Sequence, residues 1–162
     1  MVGVILLNLG GPDSPEAVKP FLLNLFSDRQ IINLGPKPIQ KCVAAFIVKR
    51  RAPKTIAAYA KIGGRSPILQ LSLEQAKALQ DHLNLNNAQP QQRFAVGVGM
   101  RYWRPYIHDT LEELYQQGAR QFIALSLYPH YSVATSGSSL RMFLAGLERY
   151  PTCSFVTIGS WH

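Results

Sequence analysis

The chain opens with an unbroken apolar run, Val2-Gly3-Val4-Ile5-Leu6-Leu7, that stops at Gly10-Gly11-Pro12. A short continuous run ending in turn residues reads as a strand buried on both faces. A helix follows, with Ser14 as its N-cap, Pro15 at the first helical position and Glu16 in the first turn. Val18, Phe21, Leu22, Leu25 and Phe26 then recur at helical spacing. Between Pro38 and Lys61 the pattern predicts two helices, one over about Ile39 to Arg50 and a second starting at Pro53. Another runs from Leu69 to Leu83, with Ser72 and Gln75 spaced as a capping box inside it. The polar stretch Asn84 to Gln92 reads as a surface loop.

Beyond that loop the pattern alternates. Phe94 to Gly99, Gln121 to Leu127 and Ser154 to Ile158 read as strands, while Tyr106 to Gln117, closed by Gly118, and Ser138 to Arg149 read as helices. Strict alternation of strand and helix predicts an α/β fold, a Rossmann-like open parallel sheet of about four strands with helices on both faces. Ligands of such sheets bind beyond the C-terminal ends of the strands.

At 162 residues and 47% hydrophobic, the chain is long enough for one ordinary globular domain. No run approaches the roughly 18 apolar residues of a membrane span, and the N-terminal run is too short and has no basic residue before it to be a leader, so a cytoplasmic protein is expected. Cys42 and Cys153 have no metal-ligand spacing and read as free structural thiols.

The net charge of +8 is not spread evenly. Lys37, Lys41, Lys49, Arg50, Arg51, Lys54, Lys61 and Arg65 fall in one stretch, Gly35 to Arg65, that contains no acidic residue, and the rest of the chain is neutral. Such a block suits a phosphate backbone, a lipid surface or a substrate with carboxylates, or else a merely solvated face.

The loops after the four strands are Leu9 to Asp13, Met100 to Pro105, Tyr128 to Ser132 and Gly159 to His162, rich in rings, small residues and guanidinium groups, with Asp13 their sole carboxylate. This composition suits a flat, apolar, conjugated ligand with anionic groups at its edge, and a porphyrin is such a ligand. It also suits stacked nucleobases and phosphates. Asn8-Leu9-Gly10-Gly11-Pro12 is not a GxGxxG fingerprint and its Pro lacks an amide, which argues against a dinucleotide cradle and leaves close approach of the backbone to a bulky planar ligand.

Four strings carry a specific resemblance: Leu7-Asn8-Leu9-Gly10-Gly11-Pro12; Lys49-Arg50-Arg51-x-Pro53-Lys54 continuing through Tyr59 to Ile62-Gly63-Gly64-Arg65-Ser66-Pro67; Gly99-Met100-Arg101-Tyr102-Trp103; and Leu127-Tyr128-Pro129-His130-Tyr131-Ser132 with Thr135-x-Gly137-Ser138-Ser139 behind it. In this order they resemble the ferrochelatases, lyases of heme biosynthesis that insert Fe(II) into a porphyrin. The resemblance implies that residues 1–162 are the N-terminal Rossmann-like half of a chelatase-type enzyme of two similar halves, with the porphyrin held in the cleft between them.

It further implies a propionate edge of Arg51, Lys54, Tyr59 and Ser66, a metal-facing Leu9, and Arg101, Tyr102, Tyr128 and Ser132 as pocket lining. The family's metal-handling histidine and glutamate belong to the second half, so no catalytic or metal-ligating residue is expected here. His130 reads as structural, and His162 is left without a role. Val133 stands where the animal enzymes carry a cluster-ligating cysteine, so no iron–sulfur cluster is expected. The implied substrates are ferrous iron and protoporphyrin IX or coproporphyrin III.

The basic residues of the block are interleaved with Val43, Phe46, Ile47 and Val48. That pattern favours peripheral contact with an anionic membrane through residues 39–51 over a nucleic-acid groove. A tetrapyrrole-binding module without catalysis is the alternative.

Overall fold

The computed structural model describes residues 1–33, 35–88 and 91–161. Contacts gather the chain into two compact units, one made of Met1–Leu9 with the chain from Gln70 onward, the other of Gly10–Leu69.

The first unit is built on strands β1 (Val2–Asn8), β2 (Phe94–Met100), β3 (Gln121–Ser126) and β4 (Ser154–Ile158). All pairings are parallel, in the order β2-β1-β3-β4. The four strands expected from the apolar runs are therefore present, with β1 central and buried. Side chains alternate across the sheet. One face carries Ile5, Leu7, Phe122 and Ala124, which pack with Ile107, Leu111 and Leu114 of α4 (Ile107–Gln116) and Phe143 and Leu147 of α5 (Ser136–Leu147).

On the opposite side, α3 (Ile68–Leu85) precedes β2 in the chain and borders it; β2 is an edge strand whose outward polar groups need partners. Gln80 Oε1 accepts the Val96 amide at 2.9 Å, and the Asn84 carboxamide both accepts from the Phe94 amide and donates to its carbonyl, each at 2.9 Å. The other edge strand, β4, is exposed along its whole length.

The second unit pairs α1 (Val18–Ser27) with α2 (Lys37–Ala60). Here the structure differs from the sequence reading in three places. Ser14 does not cap α1 directly; its Oγ accepts the Ala17 amide at 3.2 Å in a turn that precedes the helix. The two helices expected between Ile39 and Lys61 are one, running straight through Pro53. Pro53 faces solvent, where the Lys49 carbonyl it deprives of a partner can be hydrated, while the buried stripe Gln40, Ala44, Val48 and Ala52 continues without interruption. Tertiary packing therefore outweighs the local break. Third, Ser72 does not cap anything, for it lies buried inside α3.

Gln40 holds the connection between the two helices. Its Nε2 donates to the Phe26 carbonyl at 3.0 Å and the Ile32 carbonyl at 2.9 Å; the carboxamide and the first of these bonds are buried, the second partly so. Gln40→Ala would leave both carbonyls short of a donor, so we expect a loss of about 2–3 kcal/mol. A lowered urea midpoint with an unchanged slope checks this, and an unaltered midpoint would show that water replaces the carboxamide.

Candidate functional site

In a sheet ordered β2-β1-β3-β4, the connection leaving β1 and the one leaving β3 run in opposite directions, so the switch point lies between the C-terminal ends of β1 and β3. The backbone is knitted together there. The Leu127 amide donates to the Leu7 carbonyl at 2.9 Å, the Arg101 amide to that of Asn8 at 2.9 Å, and the Tyr102 amide to that of Leu9 at 3.0 Å. The loops after β2 and β3 thus dock onto the end of β1, and they bring Leu9, Tyr102 and Tyr128 together.

Tyr102 is fully buried. Tyr128 is half-buried, but its hydroxyl is sealed from solvent and lacks a hydrogen-bond partner among the described residues. Burial raises its pKa far above the ordinary tyrosine value, and the nearby Tyr102 phenol adds to the shift. The Leu9 amide opposes it weakly, being already donated to Asn8 Oδ1 at 2.8 Å. The indole N–H of Trp103 is also buried and has no partner among the described residues.

Arg101 does not extend as an isolated cation. Its Nε donates to Ser138 Oγ at 2.7 Å, and its guanidinium lies 4.7 Å from the centre of the Tyr102 ring. It ties the loop after β2 to the first turn of α5 and presses on the phenol. Ser132 works in the turn before α5, where its Oγ lies 2.7 Å from Thr135 Oγ1 and accepts the Thr135 amide at 3.2 Å. His130 is exposed, and His162 lies outside the described residues. Trp161 closes the end of β3 by donating its indole N–H to the Ser126 carbonyl at 2.9 Å.

Within the second unit, Arg51 and Lys54 line one groove of about 450 Å³ together with Leu22, Arg50, Thr55 and Ala58. The Arg51 guanidinium sits 5.5 Å from the Phe26 ring centroid, which restricts its fork before any anion arrives. Tyr59 and Ser66 are not among the residues lining that groove. The Tyr59 carbonyl accepts the amides of Ile62 and Gly64 at 2.9 and 2.8 Å, closing α2 through Gly63 and Gly64, both at positive φ. The Ser66 amide donates to the Pro12 carbonyl at 2.8 Å. A Cβ on Gly11 would lie 2.5 Å from Ser66 Oγ, so the close approach that Gly11 permits is to this serine.

Sequence reasoning missed Asn8, Ser72 and Ser138 as parts of this region. Asn8 interrupts the apolar face Val2-Val4-Leu6 at the strand end, which was a readable sign; Ser72 and Ser138 have partners 64 and 37 residues away, which was not. Among the described residues no group of three His, Cys, Asp or Glu could hold a metal ion.

The family model described as Ferrochelatase matches residues 1–162. Curated relatives include the ferrochelatases of Desulfotalea psychrophila, 54% identical over 147 residues, 91% of this chain and 44% of the relative. Those of Geotalea daltonii and Aquifex aeolicus are each 52% identical, over 137 and 141 residues, covering 85% and 87% of this chain and 41% and 42% of the relative. The chain therefore spans less than half the length of these relatives.

Because the folded state raises the Tyr128 pKa, it favours the protonated phenol. The associated stability is complete below the unfolded value of about 10 and is lost as pH rises beyond it. In an alkaline titration followed by phenolate absorbance, Tyr128→Phe should remove intensity only from the last part of the curve. Loss from the ordinary tyrosine range would show that water reaches the hydroxyl.

Proposed function

The chain belongs to the ferrochelatase family, and from that premise we propose that residues 1–162 are the N-terminal, porphyrin-gripping half of an enzyme that inserts Fe(II) into protoporphyrin IX or coproporphyrin III. The observation that carries this reading is the gathering of the part-exposed Leu9 and Tyr128 at the strand C-termini, backed by the fully buried Tyr102, where a flat apolar ligand could lie against an aliphatic side chain and a ring. Ser132 and Arg101 border that region through α5.

In the same reading, Arg51 and Lys54 bind propionate carboxylates, with Tyr59 and Ser66 completing the edge. Binding energy gained at the propionates is remote from the ring centre, so it can offset distortion of the macrocycle and expose the pyrrole nitrogens to iron. The base that takes up the two pyrrole protons, and the ligands that deliver iron, belong to the polypeptide outside residues 1–162.

The full-length enzyme should metallate porphyrin in a steady-state assay, whereas residues 1–162 alone should not. Binding without turnover by the full-length protein would instead make it a tetrapyrrole-binding module. Arg51→Ala in the full-length enzyme should weaken a dicarboxylate porphyrin about ten- to a hundredfold, as expected for a lost charge-assisted hydrogen bond. Lys54→Ala should cost less, since an ammonium has no bidentate fork. Equal losses for the porphyrin dimethyl ester, measured by fluorescence quenching, would mean that Arg51 acts through its stacking on Phe26 and not on a carboxylate.

A peripheral membrane role for residues 39–51 is part of the same proposal. No helix among the described residues is long and apolar enough to cross a membrane. Ile39 and Phe46 are nevertheless exposed on α2, the latter at 62%, beside exposed Lys49 and Arg50. Each basic residue near an anionic surface contributes about 1 kcal/mol. Binding to phosphatidylserine vesicles should therefore be weak and fall with added salt; binding indifferent to salt would contradict it.

A further inference from the structure

We infer that Asn8 and Ser72 are positioning residues for Leu9, an inference that rests on the proposed metallation of a porphyrin at the strand ends. Asn8 ends β1 on the sheet face that holds Val2, Val4 and Leu6, where another aliphatic side chain would satisfy packing. Its carboxamide is instead used at both ends. The oxygen accepts the Leu9 amide at 2.8 Å, and the nitrogen donates to Ser72 Oγ at 3.2 Å.

Ser72 lies in the buried interior of α3, where a hydroxyl is costly to desolvate unless it has a partner. The pair therefore forms a brace from α3 to the backbone that follows β1. That backbone needs one, because the next residue, Gly10, stands at φ +87° and lets the chain pivot. The Tyr102 amide holds the Leu9 carbonyl at 3.0 Å. With both backbone polar groups of Leu9 engaged, its direction is fixed, and through its carbonyl so is the approach of Tyr102.

A shift of about 1 Å in a group beside the reacting centre can cost up to about a hundredfold in rate while leaving distant binding contacts intact. The test uses the full-length enzyme with Fe(II) and protoporphyrin IX, measuring kcat, KM, porphyrin affinity by fluorescence quenching, and the melting temperature. Asn8→Ala should lower kcat by about tenfold, and Ser72→Ala by a smaller factor, with porphyrin affinity within about twofold of the wild type. Asn8→Asp keeps an oxygen for the Leu9 amide and another for the Ser72 hydroxyl, so it should recover most of the turnover. A merely structural role would lower the melting temperature and folded yield while leaving kcat per folded molecule unchanged.

Unchanged kcat in Asn8→Ala, or equal loss in Asn8→Asp and Asn8→Ala, overturns the inference. If Asn8→Ala does not fold, Ser72→Ala decides: a lowered kcat with porphyrin affinity kept supports the inference, and an unchanged kcat overturns it. Absence of iron insertion by the wild type defeats the functional reading and the brace with it, whereas wild-type turnover with unaffected variants defeats the brace alone.

Discussion

Three successive carbonyls at the end of β1, those of Leu7, Asn8 and Leu9, receive the amides of Leu127, Arg101 and Tyr102, and the arrangement at the strand ends depends on them. A parallel ladder normally stops where its strands stop, leaving loops to find their own support. Here the hydrogen bonding continues past the last strand residue on both sides of the central strand. The loops that carry aromatic rings are thereby held by backbone groups, so their placement does not depend on side-chain packing alone. Replacing a side chain in such a loop changes what the site presents without dissolving the frame.

The frame needs a β1 that cannot move, and its surroundings provide that. Ile5 and Leu7 are locked under α4 and α5, while β2 and β3 pair with it in continuous register. Outward polar groups of β2 are taken by Gln80 and Asn84, so this edge is closed by side chains instead of a fifth strand. Arg101 adds a further tie, because its Nε reaches Ser138 at the start of α5 while its guanidinium lies over Tyr102. A residue that a sequence reading places in a ligand pocket for its charge thus spends its directional donor inside the fold.

Strand positions, the parallel arrangement and most helices were legible because they depend on local pattern and on the alternation of strand and helix, whereas the order β2-β1-β3-β4 was not read from the sequence. Val2 to Leu7 and Gln121 to Leu127 announced their strands through composition alone. The break expected at Pro53 failed because a proline's local cost was set against a long buried stripe, Gln40-Ala44-Val48-Ala52, whose benefit appears only once α1 is in place. Likewise, glycine in Gly10-Gly11 was readable as a need for space, but what fills that space at Gly11 is Ser66, 55 residues along the chain. That Arg51 and Lys54 act together was implied by the family resemblance, whereas the ring that Arg51 rests on, Phe26, lies in a different helix and gave no sign of itself. Hydrogen-bond partners remote in sequence, such as Asn8 and Ser72, carry no periodic signal.

Charge separates the two units as sharply as architecture does. Residues 10–69 contain ten basic and three acidic side chains, giving +7 of the total +8, while the sheet-bearing unit has seven against six and is nearly neutral. A strong positive field attracts a dicarboxylate and repels a dication, and it acts over a Debye length of about 8 Å at physiological salt. Under the proposed reading, the porphyrin and the ferrous ion therefore cannot both be drawn in by residues 10–69. The organic substrate is recruited by its carboxylates, and the metal must arrive through groups of opposite or no charge. The uncharged set of Leu9, Tyr102 and Tyr128 agrees with this division, since a neutral phenol neither repels the metal nor competes for it as a phenolate.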